Sequence, residues 1–234
     1  MSTSTKMHTI MEKVIKTNRI NTNPYLTNMD SLTLEEFILS QEKFLGAVDN
    51  WSKVFGTMVT DAKTLDERFV FIHNLWDEHG NGDLTNSHVN TFKQFISELK
   101  KCVPLLDENK NHDTKKLCEI SVNKFNTNLN KKMNSGYEDW SHRIAILAMI
   151  EHTYIDVSKK INSFVSKYIP SEEIPHYSNH EVMDVSHSTE LFKLLEIHFK
   201  TVPGYEIETG IEYGYELLNN LYSELYANVK SVTL

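Results

Sequence analysis

Between His180 and His187 the chain reads H-E-V-M-D-V-S-H, which places His180, Asp184 and His187 at i, i+4 and i+7. On a helix these three side chains share one face. Two imidazoles and a carboxylate converging there form a metal-ligand arrangement. Asp184 and His187 also repeat, as Asp-x-x-His, the i, i+3 spacing that Glu-x-x-His has in carboxylate-bridged dimetal bundles. The competing reading is a solvated stripe, because Glu181 and Ser186 flank it and give the helix a polar side.

Further donors lie far away in sequence. Glu151 sits between Leu147/Ala148 and Ile155 on an otherwise apolar stripe, where a carboxylate is costly unless it is paired or bound to a metal. A salt-bridged or half-exposed Glu fits equally well. Glu78 closes another apolar stripe at a helix end, where exposure is easy. His88 lies one turn before Phe92, a position that a hydrogen-bonded core histidine also suits. In one unbroken helix Glu78 and His88 would stand roughly 15 Å apart and could share nothing. Gly80 and Gly82 in H-G-N-G-D supply a break that returns His88 beside Glu78. Three carboxylates (Glu78, Glu151, Asp184) and three imidazoles (His88, His180, His187), with no thiolate, suit iron or manganese better than structural zinc. Two metals sharing six donors would keep open positions for oxygen and substrate.

The elements that must carry these groups are helical. Met7, Ile10, Met11, Val14 and Ile15 form a short amphipathic stripe, which Asn23-Pro24 ends. Thr33 and Glu36 form a capping-box signature, predicting one long helix whose face carries Phe37, Gln41, Phe44, Val48, Trp51 and Phe55. Further helices are predicted over Leu65–Glu78, from near Asn86 through Leu99, over about 114–131, over 137–167, over 176–200 and over about 207–229. Residues 103–113 read as a polar loop, and Pro170 and Pro175 bracket a turn. The expectation is an all-α, single-domain bundle of seven or eight helices, with residues 1–22 as an N-terminal extension and 23–234 as the domain.

Composition narrows the partners. A net charge of −8 over 234 residues argues against nucleic acid and an anionic membrane surface. Only 8 Gly and 5 Pro interrupt the chain, which favours long helices over a many-turned β fold. The two cysteines, Cys102 and Cys118, have no metal spacing and read as reduced thiols. No signal-peptide core or membrane span is evident, so a cytoplasmic location is expected.

Taken in order, these residues resemble the haem-oxygenase-like diiron oxidases and oxygenases, iron-containing redox enzymes related to TenA-type thiaminases and pyrroloquinoline-quinone synthase. The resemblance runs from N-P-Y-L (23–26) and F-I-L-S-Q-E-K-F-L-G-A-V (37–48) through N-L-W-D-E-H-G-N-G-D-L-T-N-S-H (74–88), A-M-I-E (148–151) and H-Y-S-N-H-E-V-M-D-V-S-H (176–187). It implies a haem-oxygenase-like bundle with Glu78, His88, Glu151, His180, Asp184 and His187 as metal ligands. It further implies two ferrous ions, O₂ as co-substrate, and oxidation of a small amino-acid-, amine- or fatty-acid-like molecule, with C–C or C–N cleavage within the family's range. An electron donor and a homodimer are compatible with it. Members that form 4-aminobenzoate from their own side chains resemble this chain in H-E-x-x-D-V-x-H, but carry Tyr where this chain has Ile150. Lys159 and Lys160 also miss the spacing expected of their oxidised lysine.

Two other readings compete: a TenA-type metal-independent hydrolase, which needs a cysteine nucleophile facing the pocket, and a non-catalytic helical interaction protein. Around the candidate site, Gln41 reads as a hydrogen-bonding partner of the site, as a substrate contact, or equally as an ordinary amide at the bundle's edge. His176 is an extra imidazole one turn before His180 that the resemblance does not require. Tyr154 and Tyr177 read as packing residues.

Overall fold

A computed structural model describes residues 20–103, 111–136, 139–170, 176–200 and 204–231, together with residues 9, 10, 12, 13 and 16. Among these residues eight helices of nine or more residues run in the order α1 (Leu34–Glu42), α2 (Leu45–Asp61), α3 (Leu65–Glu78), α4 (His88–Lys101), α5 (His112–Met133), α6 (Trp140–Val165), α7 (His176–His198) and α8 (Gly204–Ser231). No strand occurs among them, and the fold is an all-helical bundle of the haem-oxygenase-like kind. No helix among the described residues is long and apolar enough to cross a membrane.

The N-terminal stripe falls largely on Met7, Met11, Val14 and Ile15, outside the described residues, while Ile10 packs against the core. Asn23 accepts a hydrogen bond from the Tyr25 amide and opens a short helical turn, Pro24–Thr27, with Pro at its first position. Its amide nitrogen donates to the Asn219 carbonyl oxygen (2.8 Å) and Ser223 Oγ (2.9 Å), tying this turn to α8.

The capping box at Thr33 and Glu36 forms as the sequence predicts, with the Glu36 amide donating to Thr33 Oγ1 and Glu36 accepting from the Thr33 amide. The single long helix expected after it is instead two, α1 and α2. At Lys43 and Phe44 the backbone stays right-handed but tightens to i→i−3 bonds, with Phe44 N donating to Gln41 O at 2.9 Å and Ala47 N to Phe44 O at 2.8 Å. The apolar period therefore runs on through a bend that breaks only the hydrogen-bond ladder. The remaining helices match the predicted ones to within about three residues. The last two residues of the 103–113 loop differ, since α5 already begins at His112, and residues 104–110 lie outside the described set.

Helix α6 is the centre of the bundle and packs most extensively on α7 and α8. Ile144 to Ile150 are all buried, so this stretch of the helix is apolar all round, as a segment enclosed by its neighbours must be. α8 approaches it very closely: a Cβ at Gly214 would meet Ile146 O at 2.5 Å, and one at Gly210 would meet His142 O at 2.6 Å.

Helix α3 is pinned at its start by Glu67. This carboxylate caps the helix through the Lys63 and Thr64 amides (both 3.0 Å), accepts from Trp140 Nε1 on α6 (2.9 Å), and lies 3.0 Å from His198 Nε2 on α7. Buried Arg143 supports the same end by donating to Asp61 Oδ2 (2.7 Å) and the Gly136 carbonyl (3.1 Å). The far end of α3 is the end that reaches the site.

Candidate metal centre

Helix α3 finishes with Asp77 and Glu78. The turn after it needs left-handed backbone at Gly80 (φ +74°), Asn81 (φ +55°) and Gly82 (φ +91°). A Cβ at Gly80 would fall 2.2 Å from Asp83 O, so only glycine closes this turn. The reversal puts His88, the first residue of α4, back against Glu78, with Nδ1 2.8 Å from Glu78 Oε2. The two atoms are close but not aligned as a hydrogen bond, and His88 Nδ1 has no hydrogen-bond partner.

From α7, His180 Nδ1 lies 2.9 Å from Asp184 Oδ1. The His180 ring is 4.3 Å from that of His88, centre to centre. His187 Nδ1 faces Glu151 Oε2 at 3.8 Å and Asp184 Oδ1 at 4.0 Å. Potential ligand atoms of Glu151, Asp184 and His187 all lie within 4.8 Å of one another. These three meet at one point. Glu78, His88 and His180 form the adjoining half of the cluster, joined to it through the His180–Asp184 contact. All six side chains are buried.

Two neighbours orient the donors, and sequence reasoning missed both. Asp77 Oδ2 lies 2.9 Å from His187 Nε2. A proton on Nε2, donated to this carboxylate, leaves Nδ1 as the nitrogen that faces Glu151 and Asp184. Trp51 on α2 donates Nε1–H to Glu151 Oε1 at 2.9 Å, leaving Oε2 facing His187. Asp77 stands off the apolar stripe of α3, and its partner is 110 residues away. No local spacing announces either role.

The electrostatics are those of a carboxylate cluster lacking counter-charge. Burial, with Glu78 adding to it against His187 and His88, pushes the Asp184 carboxyl up to about 8. Burial alone would lower His187, but Glu151, Asp77 and Asp184 outweigh it and raise the imidazole to about 10. Burial and the neighbouring His88 take His180 down to about 3. Asp184 Oδ2 and His187 Nδ1, like His88 Nδ1, are buried without a hydrogen-bond partner. Orphaned atoms of this kind are expensive, and a cation would satisfy the two on Asp184 and His187, which with Glu151 converge on one point. The residues present fit a hard or borderline metal ion.

The other polar neighbours resolve clearly. Gln41 is fully buried, so it is no edge amide: it accepts from Tyr177 OH (2.9 Å) and donates to Tyr25 OH (2.8 Å). His176 is buried with Nδ1 2.9 Å from Thr91 Oγ1 and its ring 4.8 Å from that of His180. The Tyr154 ring lies 5.3 Å from the His180 ring.

Glu78, His88, Glu151 and His180 form the polar end of a cavity of ≈ 50 Å³. The rest of its wall is mostly apolar, with Phe44, Val48, Trp51, Phe125, Ile150 and Leu218. Neither cysteine lines it. Cys118 is buried elsewhere, with burial pushing its thiol up to about 12, and Cys102 is exposed at the end of α4. A thiol nucleophile for hydrolysis therefore has no support.

An acid-and-imidazole cluster in the core of a helical bundle, opening on an apolar cavity, defines a class of metal-dependent bundle proteins. Residues 47–203 match the family model described as iron-containing redox enzyme, and the chain belongs to that family. No curated protein matches the chain.

Proposed function

We propose that this chain binds two ferrous ions through Glu78, His88, Glu151, His180, Asp184 and His187, and uses O₂ to oxidise or oxygenate a small organic molecule held in the apolar cavity. The supporting observation is the pairing of the two halves of the cluster. Glu151, Asp184 and His187 would hold one ion. Glu78, His88 and His180 would hold the other, with Asp184 in contact with both halves. When bound, iron supplies the electrons and the Lewis acidity that activate O₂. Manganese suits the same donors.

The protein's own part is positioning. Asp77 sets the His187 tautomer, Trp51 fixes one oxygen of Glu151, and Gln41 holds Tyr177 beside the helix turn that carries His180. Phe44, Val48, Phe125 and Leu218 exclude water and select an apolar substrate body. Ile150 places an aliphatic wall where a tyrosine would be needed for self-sacrificing 4-aminobenzoate chemistry, so an external amino-acid-, amine- or fatty-acid-like substrate is the better reading. Cleavage of its C–C or C–N bond lies within this chemistry.

Anaerobic loading with ferrous iron followed by exposure to O₂ tests the proposal. Oxygen uptake with a transient visible absorbance is expected. Fewer than about one iron per chain, with no oxygen uptake, contradicts it.

A further inference from the structure

The cavity beside the metal centre, at ≈ 50 Å³, is too small for an organic substrate. A dry apolar cavity that takes in one benzene ring has a volume of about 150 Å³. None of the lining residues is exposed, so a larger guest needs a side chain to move. A second hollow, of ≈ 40 Å³, lies along the seam between α5 and α8. Exposed Lys124 and Asn220 stand on its rim, and the Lys124–Glu224 ion pair bridges the seam. Among the described residues, buried Phe125 is the one that lines both hollows.

We infer that Phe125 is the gate and size filter between this surface groove and the metal centre, which rests on the cavity being the proposed substrate site. The other aromatic side chains of the cavity wall are locked in place. Phe44 stacks on Tyr154, with ring centres 6.3 Å and planes 4° apart, and leans on Tyr222 at 5.8 Å. Trp51 is held by its bond to Glu151 and by an edge contact with Phe55 at 5.5 Å. Phe125 makes no ring contact among the described residues. Its helix is tied to α2, because Asn126 donates to the Gly46 carbonyl (3.0 Å) and the Asn50 and Asn130 amides pair with each other (3.1 and 3.0 Å). The side chain, rather than the helix, is therefore the part free to move. Rotation of the ring into the groove joins the two hollows and adds the space of the ring itself, which brings the cavity toward the size that holds a benzene-sized body. An exposed ion pair at the mouth opposes this only weakly. The residue at position 125 then sets how wide a substrate body can reach the ligands.

Acrylamide, a small uncharged organic quencher of indole fluorescence, tests this, because Trp51 lines the cavity. The measurement uses the full chain without iron, carrying Trp76→Phe to remove the exposed indole, while buried Trp140 gives a constant background. Quenching of Trp51 is expected to be weak with Phe125 in place. In Phe125→Ala it should rise at least about threefold, because a truncated site relaxes only partly and leaves a gap. Leu129→Ala, buried on the same helix but lining neither hollow, should leave quenching unchanged. Should Phe125→Ala fail to fold, Phe125→Leu is expected to give a smaller rise in the same direction. Equal quenching with and without Phe125, or an equal rise in Leu129→Ala, overturns the gate. Iron takes no part in this measurement, so its failure is distinct from a failure of oxygen uptake by the iron-loaded chain.

Discussion

Asp77 and Trp51 show how the reach of single side chains shapes the centre. Each holds one donor by a single hydrogen bond, His187 and Glu151 respectively. Asp77→Asn keeps the volume but removes the charge that favours the Nε2–H tautomer. Ferrous affinity should fall about 10–100-fold with the fold unchanged, as measured by competition titration against a chelator. Glu151→Gln acts on the metal-free protein as well. It removes the carboxylate that holds the His187 imidazole charged, and should destabilise the apo chain by about 1–3 kcal/mol in urea unfolding while abolishing stabilisation by ferrous iron. The trio at 180–187 and the stripe around Glu151 could be read from sequence because helical spacing is local. The Asp77–His187 and Trp51–Glu151 bonds could not, since the partners are 110 and 100 residues apart and no periodic pattern links them.

Elements explain why the distant donors meet. The Gly80–Gly82 turn is the hinge that sets Glu78 against His88. Gly80→Ala would force a Cβ onto Asp83 O at 2.2 Å in a left-handed conformation. A loss of at least about 2 kcal/mol is expected in denaturant unfolding, together with weaker metal binding. This turn was legible because glycine is its only chemical solution. The break between α1 and α2 was not, because its backbone never leaves the right-handed region and the apolar stripe continues through it. Acid stability is also set at this scale. Burial pushes the Glu36 and Glu42 carboxyls up, but Glu36 is held below the ordinary 4.5 by the Thr33 amide and Lys230, and Glu42 by Lys100 and Lys115. Their folded values are depressed, so their contribution is complete above about 4.5 and is lost as pH falls through the lower folded values. A Glu36→Gln/Glu42→Gln double variant should show a flatter decline in melting temperature below that pH and an unchanged slope near neutrality.

For the whole molecule, the proposed metal centre would make stability and metal content one quantity. The core carries three carboxylates and three imidazoles with orphaned donor atoms, and a bound cation would offset that cost. At a free ferrous concentration a hundred times the dissociation constant, stabilisation of about 2.7 kcal/mol is expected. For a chain of this size that is a rise of roughly 5–10 °C in melting temperature under anaerobic calorimetry. The helical class was legible from length, glycine and proline content and apolar period. The way α6 threads the centre, so that α3, α4 and α7 deliver their donors to one place, depends on long-range packing that no local pattern encodes. The most direct test is anomalous scattering at the iron edge from crystals loaded anaerobically with ferrous ions. Two peaks are predicted, each about 2.0–2.3 Å from donor atoms, one among Glu151, Asp184 and His187 and one among Glu78, His88 and His180. No peak among these six side chains, or iron held only elsewhere, would contradict the account.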